Sequence, residues 1–184
     1  MTIQMKFPEA INLAMTKEME SDPRVFAFGI DLPDHNRTYG TGKDMVEKFG
    51  IERYFGSPLS EAAATGVAIG AAGCGLRPIH VHARADFVLL AMNQLVNIAS
   101  NHSYLSDGKV NVPLVVRVMI GRSWGQGAQH SKSLHSTFAH FPGLKVVLPS
   151  NPQDAYSLLR SAIQDDNPVI FFEHRWLYLS LIHI

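Results

Sequence analysis

Apolar positions at a three-four spacing open the chain: Phe7, Ile11, Ala14 and Met15, followed by Glu18 on the same rhythm. This predicts an amphipathic helix from Phe7 to Ser21, stopped by Ser21-Asp22-Pro23. The short apolar run 24–29 predicts a buried strand. Residues 31–42 carry Pro33, Asn36, Gly40 and Gly42 and predict a loop at a strand end. A short helix follows at 45–49, with Gly50 as its cap. Ser60 suits the N-cap of the next helix. In that helix Gly66, Gly70 and Gly73 fall four and three apart. Each glycine costs a helix about 1 kcal/mol, so tight packing of this face on another helix is expected.

The pattern continues with a strand at 77–82, helical periodicity from Phe87 to Tyr104, and a turn at Asp107-Gly108. The run 112–120 is the strongest strand signal, rich in valine and isoleucine. A Gly-rich loop (121–129), a strand at 144–148, a helix from Pro152 to Gln164 capped by Asn151, and a strand at 168–172 complete the order. Helices alternating with short apolar strands predict an α/β fold, a three-layer α/β/α sandwich around a mostly parallel sheet. Ligands of such folds sit at the carboxyl ends of strands. The loops after Gly29, His82 and Ile120 are therefore the places to look.

Composition changes little. The chain has 184 residues, suiting one domain, with 16 Lys+Arg against 16 Asp+Glu. Zero net charge argues against a nucleic-acid or membrane-surface partner, and no apolar run reaches the ~20 residues of a bilayer span. Residues 1–7 lack the apolar core of a signal segment, and a single cysteine suits a reducing compartment, so a cytoplasmic location is expected. Cys74 itself reads as a small core residue.

Candidate chemistry centres on Glu61. Up to Leu76 its only polar company is Thr65. It is either a first-turn carboxylate stabilised by the helix dipole, or a partly buried acid able to share a proton. His80 and His82 alternate on a strand and form at most half a metal site. His130 ends the Gly-rich loop and reads as an acid/base or as a loop histidine bonded to backbone. The loop glycines match neither a dinucleotide fingerprint nor a P-loop.

Taken in order, several motifs resemble one family. They are Asp22-Pro23-Arg24-Val25-Phe26, Glu47-Lys48-Phe49-Gly50, Pro58-Leu59-Ser60-Glu61 with Gly66, and Gly75-Leu76-Arg77-Pro78. Ala128-Gln129-His130-Ser131, the stretch from His140 through Val147, and Asp165-Asp166-Asn167-Pro168-Val169 continue the series. The chain resembles, over residues 5–178, the pyrimidine-binding domain in the beta subunit of thiamine-diphosphate-dependent 2-oxo acid dehydrogenases.

The resemblance implies roles. Glu61 would hydrogen-bond the cofactor's aminopyrimidine ring and so promote loss of the thiazolium proton. Phe87 would pack on that ring. His130 would stand at the site mouth and assist acyl transfer to a lipoyl group. Leu114, Ala162, Asp165 and Asn167 would form a potassium site. An alpha subunit would supply the diphosphate and magnesium site, which has no signature here. A second beta subunit, completing a heterotetramer, and a lipoyl-bearing acyltransferase would be further partners. The helix carrying Gly66, Gly70 and Gly73 would be the subunit contact.

The departures concern substrate and chain length. Residues 79–86 are more polar and basic than a pyruvate-type pattern, Ile30 stands where a glutamate is usual, and Arg37 and Trp124 sit in loops that could face substrate. The acyl group is therefore open. Residues 1–178 read as the domain and 179–184 as an unrelated apolar tail, with the family's C-terminal domain absent. Two rivals stand beside this reading: a non-catalytic binding module of the same fold, and a transketolase-like enzyme acting on sugars.

Overall fold

The computed structural model describes residues 5–34, 38–122 and 125–179. Its six strands form one sheet in the order β2-β1-β3-β4-β6-β5, every pairing parallel. The strands are β1 (Val25–Gly29), β2 (Tyr54–Gly56), β3 (Arg77–His82), β4 (Val115–Ile120), β5 (Lys145–Val147) and β6 (Val169–His174). β4 is buried along its whole length, as expected for a central strand covered on both faces.

One face is covered by α1 (Phe7–Ser21) and α7 (Pro152–Gln164), which pack on each other. Phe7, Ile11, Met15 and Met19 of α1 meet Leu159 and Ile163 of α7 and the sheet side chains Val25, Ile79 and Phe171. The helix pair is tied by Arg160 Nε, which donates to Glu18 Oε1 at 2.6 Å. Asn151 caps α7 as expected, its Oδ1 accepting from the Asp154 N–H at 2.7 Å.

The other face is covered by α3 (Glu61–Gly73) and the helical stretch after β3. That stretch is not the single α-helix expected between Phe87 and Tyr104. It runs as α4 (Ala85–Val88), a 3₁₀ turn, a π-helical segment Asn93–Ala99, and α5 (Ser100–Leu105). Of the apolar positions expected to face inward, Leu95 and Ala99 join the core together with Val88, whereas Leu90 and Ile98 are exposed. The shorter helices are α2 (Met45–Phe49), α6 (His135–Ala139) and α8 (Arg175–Leu179). Gly143 closes the approach to β5: at φ +86°, a Cβ there would stand 2.1 Å from the Ser100 carbonyl oxygen.

Two local expectations fail. Cys74 is exposed at the end of α3 instead of buried. Among the described residues the glycine face of α3 packs on nothing: a Cβ at Gly66, Gly70 or Gly73 would meet none of their atoms within 4 Å. Ala64, Thr65, Ala68, Ile69 and Ala72 form the buried stripe instead. Spacing identified the helix but not which side of it turns inward.

Candidate active site at the carboxyl edge of the sheet

In a parallel sheet all strands end on the same edge, and three sequence-predicted residues lie there. Ser57 donates its N–H to the Gly29 carbonyl at 2.9 Å, which fixes the chain leaving β2 against the end of β1. α3 starts four residues later with Glu61. Ser60 holds the cap position, but its hydroxyl accepts no backbone hydrogen bond; its carbonyl starts the helix through Ala64 N–H at 2.9 Å. Glu61 is half-buried and makes no hydrogen bond or ion pair among the described residues. One turn on, Thr65 Oγ1 lies 3.4 Å from His82 Nε2, which docks this end of α3 on the end of β3.

Phe87 follows β3 on α4, and His130 ends the loop after β4. The structure brings them together edge to face, with ring centroids 5.0 Å apart at 75°. Among the described residues the buried His130 Nδ1 has no hydrogen-bond partner. Its carbonyl accepts from Arg84 Nη2, which also donates to the Gly121 carbonyl at 2.7 Å. Arg84 thus clamps the start and end of the Gly-rich loop. Asp86 accepts from Lys132 Nζ at 3.1 Å and steadies the residue two places beyond His130.

His80 and His82 do not form half a metal site. Their rings meet at 4.3 Å, and His80 stacks on Phe28 at 4.6 Å while its Nδ1 lies 3.3 Å from the Phe28 carbonyl. Among the described residues no group of three or more His, Cys, Asp or Glu is placed to hold a metal. Burial lowers the His80 pKa from its ordinary value to about 4, and burial pushes His82 down as well. Unfolded, His80 titrates at 6.5 and takes up its proton first as pH falls. The unfolded state then binds more protons, so stability is lost between about pH 6.5 and 4. Going from pH 7 to pH 5 is expected to cost about 2 kcal/mol through His80 alone. Melts of the wild type and of His80→Phe at both pH values check this: the variant should show the smaller acid-induced drop.

Leu114, Ala162, Asp165 and Asn167 also come together, but at the opposite, amino-terminal edge. The Leu114 carbonyl accepts from Val169 N–H at 2.8 Å and the Ala162 carbonyl from Asp165 N–H at 3.3 Å. Asp165 Oδ1 accepts the Asn167 N–H at 2.9 Å and its Nδ2 at 3.1 Å, while Oδ2 meets Lys145 Nζ. Arg77 donates to the carbonyls of Ile163 and Asp165 at 2.9 and 2.8 Å. The carboxylate is therefore already engaged; the carbonyls of Leu114 and Ala162 each keep a second lone pair.

Residues 123–124 and 35–37 lie outside the described residues, so Trp124 and Arg37 are not placed. Sequence reasoning missed Arg84 and Arg175 as individuals. Arg175 follows β6, is fully buried, donates from Nη1 to Gln126 Oε1 at 2.9 Å, and lies over the Tyr39 ring at 5.1 Å. The basic character of residues 79–86 was the available signal for Arg84.

The carboxyl edge thus carries an acid without a hydrogen bond among the described residues, Glu61, and an aromatic–imidazole pair, Phe87 and His130. The chain belongs to the transketolase pyrimidine-binding domain family, which it matches over residues 3–179. It is 43% identical over 174 residues to the 2-oxoisovalerate dehydrogenase subunit beta of Bacillus subtilis, covering 95% of this chain and 53% of that protein. It is 40% identical over 175 residues to the mitochondrial pyruvate dehydrogenase E1 component subunit beta-2 of Oryza sativa subsp. japonica, covering 95% and 46%. The chain thus spans about half the length of the curated relatives it matches. A solved structure titled "Split gene transketolase, inactive beta4 tetramer" superposes with a TM-score of 0.73 at 19% identity, over 93% of this chain and 51% of that one, and shows the shared fold.

Proposed function

We propose that this domain forms the pyrimidine end of a thiamine diphosphate site in a 2-oxo acid dehydrogenase, completed by a partner subunit. The observation that carries this is Glu61, a half-buried carboxylate with no hydrogen bond among the described residues, at the edge where Phe87 and His130 meet. Relatives at about 40% identity named as beta subunits of pyruvate and 2-oxoisovalerate dehydrogenases support it.

Bound there, thiamine diphosphate supplies the electron sink for loss of carbon dioxide from a 2-oxo acid. The chain's part is to hold the ring and move protons. Glu61 would hydrogen-bond a ring nitrogen and share a proton with it. Phe87 offers a flat apolar face held by the edge of His130. His130, with a buried free Nδ1, would donate or accept a proton as the acyl group passes to a lipoyl carrier.

The partners follow from the surface. The glycines of α3 are open, and Val67 (64% exposed) with Leu90 (61% exposed) make the neighbouring surface apolar. We place the alpha subunit and a second beta subunit of a cytoplasmic heterotetramer on that side, with magnesium and the diphosphate held by the alpha subunit. A potassium ion would take the carbonyls of Leu114 and Ala162 beside Asp165 and Asn167, and no catalytic step runs through it. The test is to assemble the chain with its alpha partner, thiamine diphosphate and magnesium, and assay several 2-oxo acids. Carbon dioxide release with acyl transfer to a lipoyl domain is the expected result; ring binding without turnover on any 2-oxo acid would overturn it.

A further inference from the structure

Glu61 begins α3, and little in its own turn holds it. The Ser60 hydroxyl makes no cap hydrogen bond, and residues 58–60 are exposed. The buried stripe of the helix is Ala64, Thr65, Ala68, Ile69 and Ala72, all small but Ile69. Small side chains raise shallow ridges, so packing alone fixes the rotation of such a helix weakly. Thr65 is the exception. It is fully buried, and its hydroxyl shares a hydrogen bond of 3.4 Å with His82 Nε2. Among the described residues this is the one side-chain hydrogen bond that α3 makes. Glu61 and Thr65 are four residues apart and lie on the same side of the helix, so the place of Thr65 sets the place of Glu61.

His82 is itself firmly seated. It ends β3, is buried, and stands edge-on to His80 with ring centroids 4.3 Å apart at 67°. His80 lies flat on Phe28 at 4.6 Å, and Phe28 on Phe55 at 5.4 Å. The Phe28 carbonyl can only accept, which assigns the His80 proton to Nδ1. Burial keeps both imidazoles neutral at pH 7, so no charge disturbs the contact. The rings thus form one row from β2 through β1 to β3, and Thr65 joins α3 to its end. Phe55 and Thr65 lie on either side of residues 57–60, and the Ser57 N–H is bonded to the Gly29 carbonyl between them. Both ends of the stretch that delivers Glu61 are therefore tied to the same row.

We infer that His82 is a positioning residue for Glu61: through Thr65 it holds α3 in the rotation that presents the Glu61 carboxylate at the carboxyl edge. Its bearing on catalysis rests on the proposed role of Glu61, whereas its hold on α3 does not. His82 makes no hydrogen bond with Glu61, so it acts through Thr65 and the helix. Residues 79–86 are more polar than a pyruvate-type pattern, and this gives His82 a purpose there. An aliphatic side chain in its place would pack the core but leave the buried Thr65 hydroxyl without this partner. Misplacing a catalytic group by as little as 1 Å can cost about 100-fold in rate, so a helix rotation too small to unfold the domain is enough to matter.

The test compares Thr65→Val, which keeps the shape and loses the hydroxyl, with His82→Phe, which keeps a flat ring and loses the nitrogen, and with Thr65→Ser, which keeps the hydroxyl. Two readouts are taken on the chain assembled with its alpha partner. Without cofactor, amide hydrogen exchange at residues 64–68 reports opening of the helix start. With thiamine diphosphate and magnesium, at equal cofactor occupancy, exchange of the thiazolium proton reports the placement of Glu61. Thr65→Val and His82→Phe should each speed the amide exchange about tenfold and slow the thiazolium exchange about tenfold. KM for a 2-oxo acid should move less than about twofold, since Glu61 acts on the cofactor ring. Thr65→Ser should stay within about threefold of wild type in both readouts. Thr65→Val added to Glu61→Gln should leave thiazolium exchange where Glu61→Gln alone puts it, because one acts through the other. Wild-type exchange in Thr65→Val overturns the inference, as does an effect of Thr65→Val that multiplies with that of Glu61→Gln. Faster amide exchange with unchanged thiazolium exchange would make His82 a support of the helix alone and overturn its positioning role. Should His82→Phe fail to fold, Thr65→Val and Thr65→Ser carry the test. Wild-type thiazolium exchange in Glu61→Gln would instead overturn the proposed function, with the hold of His82 on α3 still read by amide exchange.

Discussion

Glu61→Gln is expected to lower turnover of the assembled enzyme by at least about 100-fold, the scale of losing a positioned proton-transfer group, while the domain stays folded. The amide matches the carboxylate in size, and Glu61 bonds no other described residue, so no internal partner is orphaned by the change. What folding loses is the favourable charge at the start of α3, about 0.3–1 kcal/mol. A melting temperature within a few degrees of wild type is therefore expected. A purely structural Glu61 would show that small stability change and nothing more. The decisive readouts are carbon dioxide release and exchange of the thiazolium proton into deuterated solvent, measured on complexes with equal cofactor occupancy. Wild-type rates in both would remove Glu61 from the chemistry, and loss of the fold would assign it to the helix start.

Residues whose role is local were legible in the sequence; residues whose role depends on which strand ends meet were not. α1, β3 and α7 lie where their periodicity and caps put them, because the apolar stripes of α1 and α7 face the sheet and each other. β2 escaped notice: Tyr54–Gly56 is three residues long and is a strand only because Ala27, Phe28 and Gly29 pair with it. The Phe87–Tyr104 periodicity held only in part: Leu95 and Ala99 are buried but Leu90 and Ile98 are exposed, because 3₁₀ and π-helical turns shift the facing of the stretch. Cys74 and the glycines of α3 were misjudged for one reason, that composition shows smallness and not direction. Glu61, Phe87 and His130 were singled out through the family resemblance, and the structure shows an edge-to-face ring contact between Phe87 and His130. Arg84 and Arg175 are joined only because β3 and β6 both flank β4 in the sheet.

On the far face of the sheet a second large effect is expected. Arg117 and Glu173 are both fully buried, on the paired strands β4 and β6. Arg117 donates from Nε to Glu173 Oε1 at 2.5 Å and from Nη2 to Oε2 at 2.8 Å, and from Nη1 to the Met15 sulfur at 3.2 Å. The Tyr178 hydroxyl donates to Glu173 Oε2, and burial and the Glu173 charge push its pKa well above the ordinary phenol value. Glu173→Gln keeps the shape but leaves a guanidinium buried without a counter-charge. The expected cost is about 3–5 kcal/mol, a fall in melting temperature of about 10 °C for a domain of this size. Removing both charges should cost far less, since apolar groups of similar volume commonly replace a buried pair without loss. Arg117→Met with Glu173→Leu and Tyr178→Phe is therefore expected to recover most of the stability lost in the single variant, and a double-mutant cycle by chemical denaturation measures the coupling. A single variant within 1 kcal/mol of wild type would show that the pair contributes nothing net. The strand that holds Glu173 leads directly into Arg175 at the carboxyl edge of the sheet, so the stability of β6 bears on how that edge is held.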